Sequence, residues 1–573
     1  MDNYSSKEIL EFKEKSNQFH GLLGETVNWV RNNLTLNEQE NLLNEVLTKK
    51  SEVATISKSI DIKPVFALFG VSQVGKSYLV KNLLSLDGEN LEISLNNGKK
   101  LDFLKEINPK GGGTESTGVV CRFTIDSISE NNDFPIKVKL LEVKDIVLIL
   151  CDSFFSDIMK MNDYPTKEDF NEHLKRFDNV LSTEHANQSS VNEDDIYYIK
   201  QYFESFLERM NPLASTVSNT NFWLEISNKI KYIESHRWVE LFEILWSKEN
   251  NYSELFRAML NGLEKLNFAA YVMVSENAIL RDSGKILDVE RVELIFKNEV
   301  NTPVQFSNGN IKDFNINLLS ALTSEISLPL DKSAAEEKKF LNTTDLLDFP
   351  GARSRKPYEK IELKWEMMPN LFLRGKVSYL FNKYSSNYEI NNLLFCLKNF
   401  NNEVKEIPIL INEWIKRNVG ATSQEREQRI GKNGVNPLLV VLTFYNETMK
   451  FNPNSDGDDL SDKWNNRFIK LFKEETVTKA NDWDVNWTLS SPNFKSFYPL
   501  RDFQFSDDIF EGFTQNNKEE KVNDSRLEYY AKLKESFTNF PYVKEHFDNP
   551  ADAWEKSSTP NQDGSSRILS DLL

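Results

Sequence analysis

Gly70-Val-Ser-Gln-Val-Gly75-Lys76-Ser77 fits the pattern G-x-x-x-x-G-K-[ST], a loop that curls around phosphate. Its glycines let successive backbone N–H groups point inward, and the N-terminus of the following helix adds a favourable dipole. Gly70, Ser72, Val74, Gly75 and Tyr78 are expected to form the cradle. Lys76, expected to be exposed without ligand, would reach the β- and γ-phosphates, and the Ser77 hydroxyl would ligate Mg²⁺. Asp348-Phe-Pro-Gly351 gives the other half of such a site. A D-x-x-G at a strand end supplies a carboxylate for Mg²⁺ and a backbone N–H, here of Gly351, that senses the γ-phosphate. Alone it reads equally well as a Pro-Gly turn. Arg353 and Arg355 follow, and read as solvated loop arginines rather than phosphate contacts.

Two further segments complete the chemistry. Gly111–Gly118 is glycine- and threonine-rich, as suits a first switch loop, and Thr114 and Thr117 both offer Mg²⁺ a hydroxyl. The apolar run Leu438–Leu442 ends in Thr443-Phe444-Tyr445-Asn446, where GTPases place [NT]-K-x-D. Phe444 would cover the base. Asn446 offers one acceptor and one donor, so it does not reproduce the double acceptance a carboxylate gives guanine, and GTP and ATP both stay open.

The elements around these residues have the required order. Pro64–Phe69 is a short continuous apolar run, as in a buried parallel strand, and helical spacing resumes with Leu79, Val80, Leu83 and Leu84. Residues 5–60 predict two helices, the second opened by a capping box at Thr35 and Glu38. Val119–Ile125 predicts a strand, 150–300 is mainly helical, and 300–330 looks like shorter strands and turns. The fold class is α/β: a P-loop NTPase (GTPase-like) doubly wound sheet with a large, mainly helical insertion and helical flanks. The expected segments are a helical hairpin (1–60), the first NTPase part (61–150), the insertion (151–330), the second NTPase part (331–510) and a polar helical segment (511–573) that reads as the start of a further domain of a longer protein.

Bulk properties exclude several classes. A chain of 573 residues needs more than one core. Its net charge of −18 argues against a nucleic-acid partner. Cys121, Cys151 and Cys396 are scattered, and the five histidines never reach a metal-ligand spacing. Without a signal peptide or an apolar run long enough for a bilayer, the reading is a soluble cytoplasmic protein, signal-independent secretion aside.

Taken together, the phosphate loop, Asn108–Phe123, Leu347-Asp-Phe-Pro-Gly-Ala-Arg353 and Leu442-Thr-Phe-Tyr-Asn446 resemble a bacterial virulence-factor family labelled SrfC-like, whose nucleotide site looks dynamin-related. The resemblance covers about residues 60–510. It implies a role in interaction with a host or competitor, with membrane contact by family analogy only. It also implies a loop glutamine that orients the attacking water; Gln73 lies one position off that place, where Ser72 stands. Cys121 stands where dynamin-like proteins place the switch threonine before an arginine, here Arg122, and a thiol is a poor Mg²⁺ ligand. Expected catalytic residues are thus Lys76, Ser77, Asp348 and Gln73, with Mg²⁺ on Ser77, Asp348 and Thr117. The expected function is GTP-like binding and slow hydrolysis as a conformational switch, with protein partners on the insertion and no expectation for oligomeric state. The alternatives are a nucleotide-stabilised scaffold with little turnover, or an ATP-using P-loop protein.

Overall fold

Every residue of Val65-Phe-Ala-Leu-Phe-Gly70 is buried, and such a strand is stable only inside a sheet covered on both faces. The computed structural model describes residues 6–86, 90–109, 117–159, 164–178, 190–208, 211–297, 300–355, 357–399, 404–454, 456–457, 459–478 and 482–572. Among the described residues, eleven strands form one mixed sheet. They are β1 (Val65–Gly70), β2 (Val120–Thr124), β3 (Ile136–Leu140), β4 (Tyr271–Val274), β5 (Asn301–Gln305), β6 (Ile311–Asn315), β7 (Thr323–Pro329), β8 (Asp345–Asp348), β9 (Ile390–Leu397), β10 (Leu438–Leu442) and β11 (Phe497–Pro499).

Their spatial order is β11-β10-β9-β1-β8-β2-β7-β3-β4-β5-β6. From β11 to β8 all neighbours are parallel; β2 is antiparallel to β8 and parallel to β7, and β3 to β6 continue antiparallel. The sheet is therefore wider and more mixed than a doubly wound one. Within 271–329, β4 stands where helix was expected, while β5, β6 and β7 fall where shorter strands and turns were expected, and all four join the same sheet. Helices do fill most of 143–265.

Four helices matter for the site: α1 (Ser6–Asn33), α2 (Leu36–Ser59), α3 (Lys76–Leu84) and α4 (Val143–Asp157). The first two form the expected hairpin, with Val27 and Val30 packed on Leu43 and Leu47, and the capping box of Thr35 and Glu38 present. Helix α4 is buried on almost every face and lies against helix Met368–Ser386. The two backbones approach so closely that a Cβ at Gly375 would sit 2.4 Å from the Ile149 carbonyl oxygen. Beyond β11, the segment 511–572 packs back on the sheet edge and on α3. Its anchor is the wholly buried Arg501, which donates to the Glu519 carboxylate at 2.8 and 2.9 Å and to the Ser557 carbonyl. Among the described residues, no helix is long and apolar enough to cross a membrane.

Candidate functional site

The loop that leaves β1 is shaped by two glycines for different reasons. A Cβ at Gly70 would meet the Cys396 carbonyl oxygen at 2.4 Å, so the close approach of β1 to β9 requires glycine. Gly75 has φ +85°, a left-handed conformation that side chains resist. Gln73 takes φ 54° although it has a side chain, a strain of about 1 kcal/mol that the surrounding turn must hold. Gly75 then caps α3, with the Leu79 N–H donating to its carbonyl at 3.2 Å.

Strand β8 brings the acidic half alongside. Asp348 pairs with Leu68 on one side and Cys121 on the other. The chain beyond it runs along β1 and the start of the Gly70–Ser77 loop, with the Phe349 N–H donating to the Leu68 carbonyl at 3.2 Å and the Ala352 N–H to the Gly70 carbonyl at 3.0 Å. Between these segments lies a cavity of about 390 Å³, within the usual range for small-ligand sites. It opens at the carboxyl ends of β1, β8, β10 and β11, where α/β sheets hold their ligands.

Most of the expected residues line it: Ser72, Gln73, Val74, Gly75, Lys76, Ser77, Tyr78, Thr117, Asp348, Gly351 and Phe444. Three do not. Gly70 lies behind the loop. Thr443 packs against Gly75 and donates its hydroxyl to the Leu397 carbonyl at 3.0 Å. Asn446, read as a base contact, spends its amide on the chain itself: it donates to the Phe505 carbonyl at 3.2 Å and accepts the Asp502 N–H at 3.3 Å. Thr114 falls outside the described residues. Lys76 is not exposed as expected; its side chain is buried and the ammonium lies 3.4 Å from the Val71 carbonyl of its own loop.

Other residues of the cavity were missed by motif reading. Asn108 and Pro109 line it next to Thr117, and Arg281, Asp288 and Glu290 reach it from the chain after β4. Asp502, Gln504 and Phe505 come from the loop after β11, with the Phe505 ring 6.1 Å from that of Phe444. The usable signal for that loop was the apolar run Phe497–Leu500 ending in Arg501-Asp502.

Arg355 is not a solvated loop residue. Its guanidinium is buried and pairs with Asp152 and Asp157, the latter at 2.8 Å, both near the end of α4. Tyr358 adds main-chain bonds with Asp157 and Met159. Asp157 also faces Arg374, at 3.5 Å.

The donor set around Lys76 suits Mg²⁺ with a phosphate: a hydroxyl on Ser77, a carboxylate on Asp348 and a hydroxyl on Thr117 are all oxygen. Cys121 faces Asp348 but does not line the cavity, and burial, reinforced by Asp348 and Glu325, pushes its thiol well up. Burial likewise pushes the Cys396 thiol up to about 12, against the pull of Lys76. Both sulfurs beside the loop are therefore inert thiols.

The family described as "Putative bacterial virulence factor" matches residues 26–573, and the chain belongs to it. No curated protein matches the chain.

Proposed function

We propose that the cavity binds a purine nucleoside triphosphate with Mg²⁺ and hydrolyses it slowly, and that the chain acts as a nucleotide-dependent switch within its virulence-factor family. One observation supports this most. Lys76, Ser77, Thr117, Asp348 and Gly351, from three stretches far apart in sequence, line one cavity at the end of a parallel strand. The inward amides and Lys76 hold the phosphates. Ser77, Asp348 and Thr117 would hold Mg²⁺, which supplies charge neutralisation at the β- and γ-phosphates. Gln73 lies on the cavity wall, where its amide can orient water.

For the base we favour guanine. Phe444 and Phe505 form an aromatic wall, and Asp502, rather than Asn446, is the carboxylate on it. A carboxylate accepts from the guanine N1–H and 2-amine together, whereas adenine presents an acceptor at N1.

The test is calorimetric titration with Mg²⁺ and GTP or ATP, on wild type and Lys76→Ala. Saturable heat with the wild type and none with the variant is the expected result. A wild type that neither evolves heat nor shifts its melting with either nucleotide rejects the proposal.

A further inference from the structure

Arg281 is a second cation on the cavity wall, facing it from a different part of the chain than Lys76. It follows β4 and the short helical turn Glu276–Ala278, and its turn is held firmly. The Arg281 N–H donates to the Glu106 carbonyl at 2.8 Å, the Gly284 N–H to Asn277 at 2.8 Å and the Ile286 N–H to Ala278 at 3.0 Å. Gly284 fits so tightly that a Cβ there would lie 2.2 Å from the Ala278 carbonyl oxygen. Ile279 and Ile286 beneath it are fully buried. The same segment also receives the Gly118 N–H on the Leu287 carbonyl, at 3.0 Å. Among the described residues, no carboxylate pairs with the Arg281 guanidinium, whereas Arg122 and Arg355 each have one.

Charge makes this residue consequential. Among the described residues, the side chains lining the cavity include the carboxylates of Asp288, Glu290, Asp348 and Asp502 but only two cations, Lys76 and Arg281. A bound triphosphate adds about four further negative charges, and bond breaking shifts charge toward the leaving oxygen, where a guanidinium is worth most.

We infer that Arg281 is a catalytic residue of the proposed hydrolysis, an arginine supplied by the chain's own β4 segment that contacts the phosphates as the transition state forms. The inference rests on the nucleotide reading above. In the step it serves, a water oxygen bonds to the γ-phosphorus and the bond from that phosphorus to the β–γ bridging oxygen breaks. The electron pair leaves with the diphosphate, and the water's proton goes to the released phosphate. Arg281 offsets the growing charge on the bridging and γ oxygens.

The experiment compares wild type, Arg281→Ala and Arg281→Lys, each checked for an unchanged melting temperature. Single-turnover hydrolysis of Mg²⁺–GTP is measured, together with calorimetric affinity for GTP and for GDP with and without aluminium fluoride. Arg281→Ala is expected to bind GTP within about threefold of wild type but to hydrolyse it on the order of 10³-fold more slowly. It should also lose the gain in GDP affinity that aluminium fluoride gives the wild type, and Arg281→Lys should recover part of both. Hydrolysis by Arg281→Ala at the wild-type rate overturns the inference. So does a loss of GTP affinity as large as that of Lys76→Ala, or a wild type that binds but does not turn over. A wild type that binds no nucleotide overturns the nucleotide reading itself, a distinct result.

Discussion

At the Lys76 ammonium, the free loop already holds its own cation, 3.4 Å from the Val71 carbonyl. That single contact is weak, so Lys76→Ala is expected to shift the melting temperature by only about 1 °C, as a loss of about 1 kcal/mol does in a chain this size. Triphosphate binding in the same variant should vanish in the titration. Asp502 carries the specificity prediction. Asp502→Asn keeps an acceptor for the Gln504 N–H but gives up one acceptor toward a base, so GTP affinity should fall about tenfold or more while ATP affinity stays or rises. Equal losses for both nucleotides in competition melting would remove Asp502 from base reading. That the Ser72–Ser77 turn, Asp348 and Thr117 share one cavity follows from local patterns that dictate where the backbone turns, which is legible in the sequence. The place of Asn446 is not. Its motif gives a position after β10, but whether the amide faces a ligand or the 502–505 loop depends on a strand more than fifty residues later.

Among the elements, the strand–loop–helix from β1 to α3 and the hairpin of α1 and α2 follow from apolar spacing and a capping box. The mixed sheet does not, because strands of four to seven residues such as β4 and β7 are too short for their periodicity to distinguish them from turns. Pairing across the sheet is equally hidden. Arg122 on β2 donates to Glu325 on β7 at 2.9 Å and to Asp345 on β8 at 3.0 Å. Burial raises the Glu325 carboxyl, but Arg122 and Lys139 outweigh it and leave it at about 2. Helix Met368–Ser386 gives a pH prediction. Burial alone pushes Lys376 down to about 7, and its ammonium reaches only the Ser320 carbonyl, at 3.0 Å. Between that value and the ordinary lysine value near 10.4, the unfolded chain binds the proton and the folded one does not, so this residue makes stability rise with pH over that window. Lys376→Met, similar in volume and uncharged, should flatten the rise and be more stable than wild type at pH 7. Parallel slopes for the two proteins in urea titrations from pH 7 to 9.5 would contradict this.

Across the whole molecule, the chain after Gly351 is tied to α4 by Arg355, Asp152 and Asp157, so under the proposed function a change at a bound phosphate would have a direct path into the helical region. Arg355→Gln leaves two buried carboxylates with less compensation and is expected to cost about 3–5 kcal/mol in urea unfolding. Hydrogen exchange in residues 143–157 should respond to nucleotide in the wild type and not in this variant; a retained response would mean the helices sense the ligand by another route. The far end of the chain also takes part. Tyr78 and Asn82 of α3 donate to the Asp563 carboxylate at 2.9 and 2.6 Å. A growing polypeptide on the ribosome therefore presents the Gly70–Ser77 loop with a following helix that still lacks this contact, since 485 residues separate Tyr78 from Asp563. Early segments fold first during synthesis. On the nucleotide reading proposed above, the ability to hold nucleotide would then arrive only once Asp563 has been made and has folded back on α3.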